Sequence, residues 1–165
     1  MGMQPPVDEE PFTAEQAAVA AANETFYQAV EDGDLDTVRA LWIDGEHSAT
    51  AHCVHPGQPA VHGRSQVLMS WAVVMSRLSY LQFFITDVRV VVSGDVAVVT
   101  CAENVLTDLP RGEAEDVGAV AGFAGGRAEA TNVFRRTADG RWLLFAHHSS
   151  PVFPSSGSDP ADEPE

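Results

Sequence analysis

The chain has 165 residues, with 24 Asp and Glu against 9 basic residues that are all Arg, for a net charge of -15. That length suits one domain able to bury a core and hold a modest cavity, and the charge repels polyanions, which argues against nucleic acid or an anionic membrane as partner. The opening MGMQPPVDEEPF carries acids and prolines in place of a basic stretch and an apolar run, and no later segment is apolar for the roughly 18 residues of a membrane span, which predicts a cytoplasmic protein.

Residues 1–12 and 154–165 are rich in Pro, Ser, Asp and Glu, too poor in large apolar groups to offset the entropy of ordering, and are expected to be acidic tails around one domain over 13–153. Thr13 with Gln16 three residues on has the form of a capping box, and Val19, Ala22, Phe26 and Val30 follow at helical spacing, predicting a first helix through Glu31. Gly33 ends it and Asp34 caps a short second helix with Leu35, Val38, Leu41 and Trp42 on one side, so the two form a hairpin.

The segment Ser48 to His55 suits a short strand closed by Pro56 and Gly57. From about Arg64 to Ser79, Val67, Trp71, Val74 and Leu78 draw an apolar stripe along a third helix that can cover a sheet. Two hairpins complete the chain: Phe83 to Val92 with Val96 to Val105 about Ser93-Gly94-Asp95, and Gly126 to Thr137 with Arg141 to Pro151 about Ala138-Asp139-Gly140. Between them, residues 108–125 are Gly-rich and acidic and read as a long loop. Cys53 and Cys101 are expected to be small buried apolar side chains and not a disulfide.

In this order, four blocks of sequence carry a resemblance: FYQAVEDGDLDTVRALW, HCVHPGQPAVHGRSQVLMSW, VVVSGDVAVVTCAENV and ATNVFRRTADGRWLLFAHHSSPV. Together the chain resembles, from about Thr13 to Phe153, the SnoaL-like branch of the nuclear transport factor 2-like superfamily. The resemblance implies an α+β fold in which a cone-shaped, curved antiparallel sheet wraps around a long helix, behind an N-terminal helix hairpin. It also implies a cavity open at one end and a homodimer formed through the sheet. Such cones host isomerases, cyclases, dehydratases and epoxide hydrolases as well as members that only bind or dimerise, so the fold does not name a reaction.

In the ketosteroid isomerase relatives the acid before a proline abstracts the proton; here that position is His55, an imidazole with an unperturbed pKa near 6.5 and so a chemically competent base. The rest of the isomerase pattern departs, because Phe26 stands where a tyrosine donor would be, with Tyr27 rotated by about 100°, and Ala130 and Thr131 stand near the expected acid. Steroid isomerisation is therefore rejected. The candidate catalytic residues are His55 as base and Tyr27, Glu103 or His148 as acid or orienting group, with Phe26, Trp42, Cys53, Trp71, Met75 and Phe83 shaping the cavity.

A metal set of Cys53, His55 and one of His147 or His148 has no supporting spacing, so no metal and no cofactor is expected. His147 and His148 are adjacent on a strand and face opposite ways. The expected function is binding of a small, largely apolar molecule with cofactor-independent isomerisation, cyclisation or dehydration; the alternative is a non-catalytic ligand-binding or dimerisation module, and a metal-dependent pocket is the third and least favoured reading.

Overall fold

A computed structural model describes residues 10–108 and 123–154. The first helix, α1 (Ala14–Glu31), begins at the anticipated box: Thr13 Oγ1 accepts from Gln16 N at 3.2 Å and Gln16 Oε1 accepts from Thr13 N at 2.9 Å. Gly33 takes φ +68°, a left-handed turn that spares the cost of a Cβ, and Asp34 then caps α2 (Leu35–Leu41) by accepting from Thr37 N at 3.0 Å. The C-terminal end of α2 is closed by Arg64, whose guanidinium donates to the carbonyls of Arg39, Trp42 and Ile43 at 2.8, 2.5 and 3.0 Å.

Ser48 to Thr50, expected in the first strand, instead belong to a 3-10 turn (Gly45–Thr50) held by the Thr50 hydroxyl on His47 O. The strand proper, β1, is only His52–Val54, followed by the two-residue β2 (Val61–His62). The Thr50 hydroxyl bonds locally to backbone, which favours the turn over an extended ladder. Then come α3 (Arg64–Arg77), β3 (Leu81–Ser93), β4 (Val96–Asp108), β5 (Phe123–Arg136) and β6 (Trp142–Pro151). Asp108 and residues 123–125 thus belong to strands, while the remainder of the expected 108–125 loop and most of both expected tails lie outside the described residues.

The six strands form one sheet in the order β2-β1-β6-β5-β4-β3. It is mixed and not purely antiparallel, because β1 runs parallel to β6 with Cys53 opposite His147 and Val54 opposite His148. Two bulges bend it. Between Thr86 and Arg89 the ladder gains a residue on β3, with Asp87 at φ +55°, and between Val133 and Phe134 it gains one on β6. Extra residues of this kind raise local twist and curl a sheet out of plane.

α1, longer than α3, is the helix that packs most fully on the sheet, along β3 and across β4 and β6. It also shields the long edge strand: Gln16 Nε2 donates to Val90 O at 3.1 Å and Glu31 accepts from Phe83 N at 2.5 Å. Free ladder groups that would template another strand are thereby occupied. α3 by contrast meets the sheet near β1 and β2 and buries only Val67 and Trp71, so Val74 and Leu78 of its apolar stripe face a gap between α3 and the strands β3 and β4. The core lies on the other side of that gap, around Phe26, Trp42, Phe134 and Leu144.

Candidate functional site

That gap is a cavity of about 590 Å³, open to solvent, with a largely apolar wall. Trp71 and Val74 come from α3, Phe83 from β3 and Val105 from β4, and the polar side chains His55, Ser70, Glu103 and His147 break the apolar lining. Small-molecule sites in proteins are commonly clefts of this order of size, mostly apolar with a few convergent polar groups.

His55 leaves β1 at the Pro56-Gly57 turn, where Gln58 N donates to His55 O at 2.9 Å and Gly57 takes φ +71°. Its ring packs edge-on against Trp71 at 4.6 Å, and Nε2 lies 3.0 Å from Ser70 Oγ and 3.6 Å from Cys53 Sγ. The Ser70 hydroxyl gives its proton to Val67 O at 2.7 Å. Ser70 therefore accepts from Nε2–H, which leaves Nδ1 as the basic nitrogen of a neutral ring. Burial lowers the His55 pKa, so the ring is uncharged at neutral pH.

Glu103 points inward from the middle of β4 and is 3% exposed. Tyr27 donates to its Oε1 at 2.7 Å and Ser149 to its Oε2 at 2.5 Å. Burial raises the Glu103 pKa, and the two donated hydrogen bonds oppose that rise without cancelling it. Tyr27 itself is held well above the ordinary phenol range, by burial first and then by the neighbouring carboxylate, and stays a donor.

Of the two adjacent histidines, His147 is the inward one, 1% exposed, while His148 stands exposed on the outer face of the sheet. The candidate acid His148 is thus placed away from the cavity, and the reason is strand alternation in the register that sets Asn132 opposite His147 and Thr131 opposite His148. His147 Nδ1 lies 2.6 Å from Asn132 Oδ1, and Nε2 lies 3.8 Å from Glu103 Oε1. Burial, then the nearby His55 and His148 rings, push the His147 pKa down to about 3.

The other anticipated residues divide. His55, Glu103, Trp71 and Phe83 line the cavity. Tyr27 is not part of the cavity wall; it donates to Glu103 and packs on Phe83 from behind, and lines a second cleft beside Asn23. Met75 lies in an adjoining cleft beside Leu78 and Leu81. Phe26 and Trp42 are core and not wall: Phe26 meets Trp71 edge-on at 5.1 Å and Trp42 at 6.3 Å, supporting the Trp71 ring from behind. Cys53 is buried beside His55, its thiol pushed up to about 12 by burial, an inert packing group. Among the described residues no three His, Cys, Asp or Glu side chains are grouped as a metal ion requires.

Sequence reasoning missed Asn23, Asn132 and Ser70 and gave Ser149 no role here. Asn132 was visible as the one amide in the β5 run ATNVF, a residue type depleted in strands, and Asn23 as the polar interruption of an Ala-rich helix. Both are buried, and Asn132 Nδ2 donates to Asn23 Oδ1 at 2.8 Å and to the Tyr27 hydroxyl at 3.0 Å.

No helix among the described residues is long and apolar enough to cross a membrane. The chain is similar to several known proteins. A protein from Streptomyces avermitilis described as a "putative dehydratase" of the NTF2-like family is 44% identical, with a TM-score of 0.73 over 85% of this chain and 97% of that one. A "putative calcium/calmodulin-dependent protein kinase type II association domain" from Thiobacillus denitrificans is 25% identical, with a TM-score of 0.66 over 87% and 100% of the two chains. The F-box protein SKIP8 of Arabidopsis thaliana is 25% identical over 139 residues, 84% of this chain but 52% of that protein, so the chain spans about half the length of this curated relative. The model of the SnoaL-like domain matches residues 19–154. With its curved mixed sheet and its inward carboxyl and imidazole, the chain belongs to the SnoaL-like family of the nuclear transport factor 2-like superfamily.

Proposed function

We propose that the protein is a cofactor-independent acid–base enzyme that eliminates water from a small, largely apolar substrate bound in the cavity. The observation that carries this reading is the convergence of His55, Glu103 and His147 on one apolar cavity, with Tyr27 and Ser149 fixing the carboxyl from behind. His55 serves as base and takes a proton from carbon; Glu103, whose protonated form burial favours, serves as acid and gives its proton to the departing hydroxyl. The C–H and C–O bonds break, a C=C bond and water form, and the proton on His55 returns to the Glu103 carboxylate to reset the site. The description of the 44% identical Streptomyces avermitilis protein as a dehydratase supports this choice over isomerisation or cyclisation.

Untargeted mass spectrometry of small molecules extracted from the purified chain identifies the ligand, and its turnover is then compared between the wild type and His55→Gln and Glu103→Gln. Loss of a general acid or base costs about 10² to 10⁴ in rate. Full turnover by folded His55→Gln removes the base and with it this mechanism.

A second reading, a ligand-binding or association module, is favoured by the outer face of the sheet. Val91, 63% exposed, lies in one row with Val98 and Val133 of the neighbouring strands. That row fits a homodimer formed sheet to sheet, and a dimer is compatible with either reading because the cavity opens elsewhere.

A further inference from the structure

The polar groups at the buried end of the cavity have their hydrogen-bond directions set from behind. Asn132 commits its amide nitrogen twice, to Asn23 Oδ1 at 2.8 Å and to the Tyr27 hydroxyl at 3.0 Å. Only its oxygen remains for His147, 2.6 Å from Nδ1. An amide oxygen accepts and never donates, so Nδ1 carries the hydrogen. A neutral imidazole has one N–H, and burial keeps this ring neutral, which leaves Nε2 a bare acceptor.

Glu103 is set the opposite way. Both of its oxygens already receive a hydroxyl proton, from Tyr27 and from Ser149, and burial favours its neutral form. In the protonated form that burial favours, the Glu103 proton has no taker among those two donors and is offered to the cavity. Glu103 Oε1 and His147 Nε2 are 3.8 Å apart. That is too far for a bond between them, yet one inserted oxygen can lie within about 2.8 Å of both.

We infer that Glu103 and His147 form a subsite that reads a hydroxyl group, that the molecule bound there is an alcohol held through its C–O–H, and that Asn132 is the positioning residue that makes it so. This rests on the proposed function in one respect, that the cavity is where substrate binds. A hydroxyl accepts from Glu103 and donates to Nε2 at once. A ketone only accepts, so Nε2 is left facing it without a partner, a mismatch of about 10-fold to 100-fold in affinity. With the other His147 tautomer the subsite would hold two donors aimed at one oxygen, an arrangement that selects a carbonyl and its enolate. The tautomer therefore separates a site for removing a hydroxyl from one for isomerising a ketone.

Two measurements on the full chain test this without turnover. Long-range ¹⁵N NMR of histidine-labelled protein, free of ligand, is expected to show His147 protonated at Nδ1 and bare at Nε2; a protonated Nε2 overturns the assignment. Titration with the matched probes 1-tetralol and 1-tetralone is expected to favour the alcohol by 10-fold or more and to move the Nε2 resonance; equal or tighter binding of the ketone overturns it. Asn132→Leu, confirmed as folded by circular dichroism, is expected to mix the tautomers and bring the preference close to one. An unchanged preference in that variant removes Asn132 from the role, and if the variant does not fold, the two wild-type measurements still decide. A chain that prefers the alcohol but eliminates nothing keeps this subsite and loses the proposed reaction.

Discussion

Acidification should unfold this protein through His147, and the size of the effect follows from where the ring sits. In the unfolded chain a histidine titrates near 6.5, whereas in the fold His147 is held down to about 3 by burial and by the His55 and His148 rings. The unfolded state therefore binds the proton first. The contribution of the neutral ring to stability is complete above pH 6.5 and is lost as pH falls from there toward 3, at about 1.4 kcal/mol per unit. By pH 4.5 the loss is about 3 kcal/mol, a large part of the stability of a domain this size. His55 is shifted in the same direction and adds to the loss, while Glu103, whose folded pKa is raised, works against it by regaining stability as pH drops. A comparison with His147→Gln isolates the term, because glutamine retains a donor for Asn132 Oδ1 and does not titrate while His55 and Glu103 stay in both proteins. Urea unfolding at pH 7, 5.5 and 4.5 should show the wild type losing about 3 kcal/mol more than the variant across that range. Parallel curves would mean that the ring is hydrated or already charged in the fold, and the account of the cavity floor would fail with it.

Arg64→Ala should lower stability by about 2 kcal/mol, since it strips a charged donor from three carbonyls that close α2; thermal melting reads this, and an unchanged midpoint would show that water replaces the guanidinium without loss. Thr13→Ala removes one half of the capping box at the start of α1 and should cost about 1 kcal/mol in the same assay, with the fold intact.

What the residues disclosed and what they hid have separable physical causes. The capping box at Thr13, the Gly33 turn and both hairpins are local signals, encoded within a few neighbouring residues, and all three reappear in the fold. Register is not local. Whether His147 or His148 faces inward depends on pairing with β5, and a slip of one residue exchanges them, so alternation alone left the choice open. The bulge at Asp87 likewise shifts which β3 residues face in, between Ile85 and Val90, and no residue type announces it. The parallel pairing of β1 with β6 joins segments far apart in the chain, and in the 3-10 turn at Gly45–Thr50 the Thr50 hydroxyl satisfies a backbone carbonyl close at hand.

Among the described residues, the buried polar side chains Asn23, Glu103, Asn132, His147 and Ser149 are the part that stability alone does not explain. Each had to be taken out of water, and a hydrogen bond inside returns only about 1 kcal/mol net, so an apolar filling of equal volume would hold the same strands at no greater cost. Nor does the fold require them for register, which the apolar rows of β3 to β6 already fix. What the network does supply is direction: it sets which hydrogen bonds each group can make where Glu103 and His147 meet the cavity. A core that only needed filling would gain nothing from that, whereas the proposed subsite, an acid in its protonated form beside an unprotonated imidazole, requires it. The expense of burying these groups is thus best accounted for at the cavity, where Glu103 and His147 emerge, and not in the packing behind it.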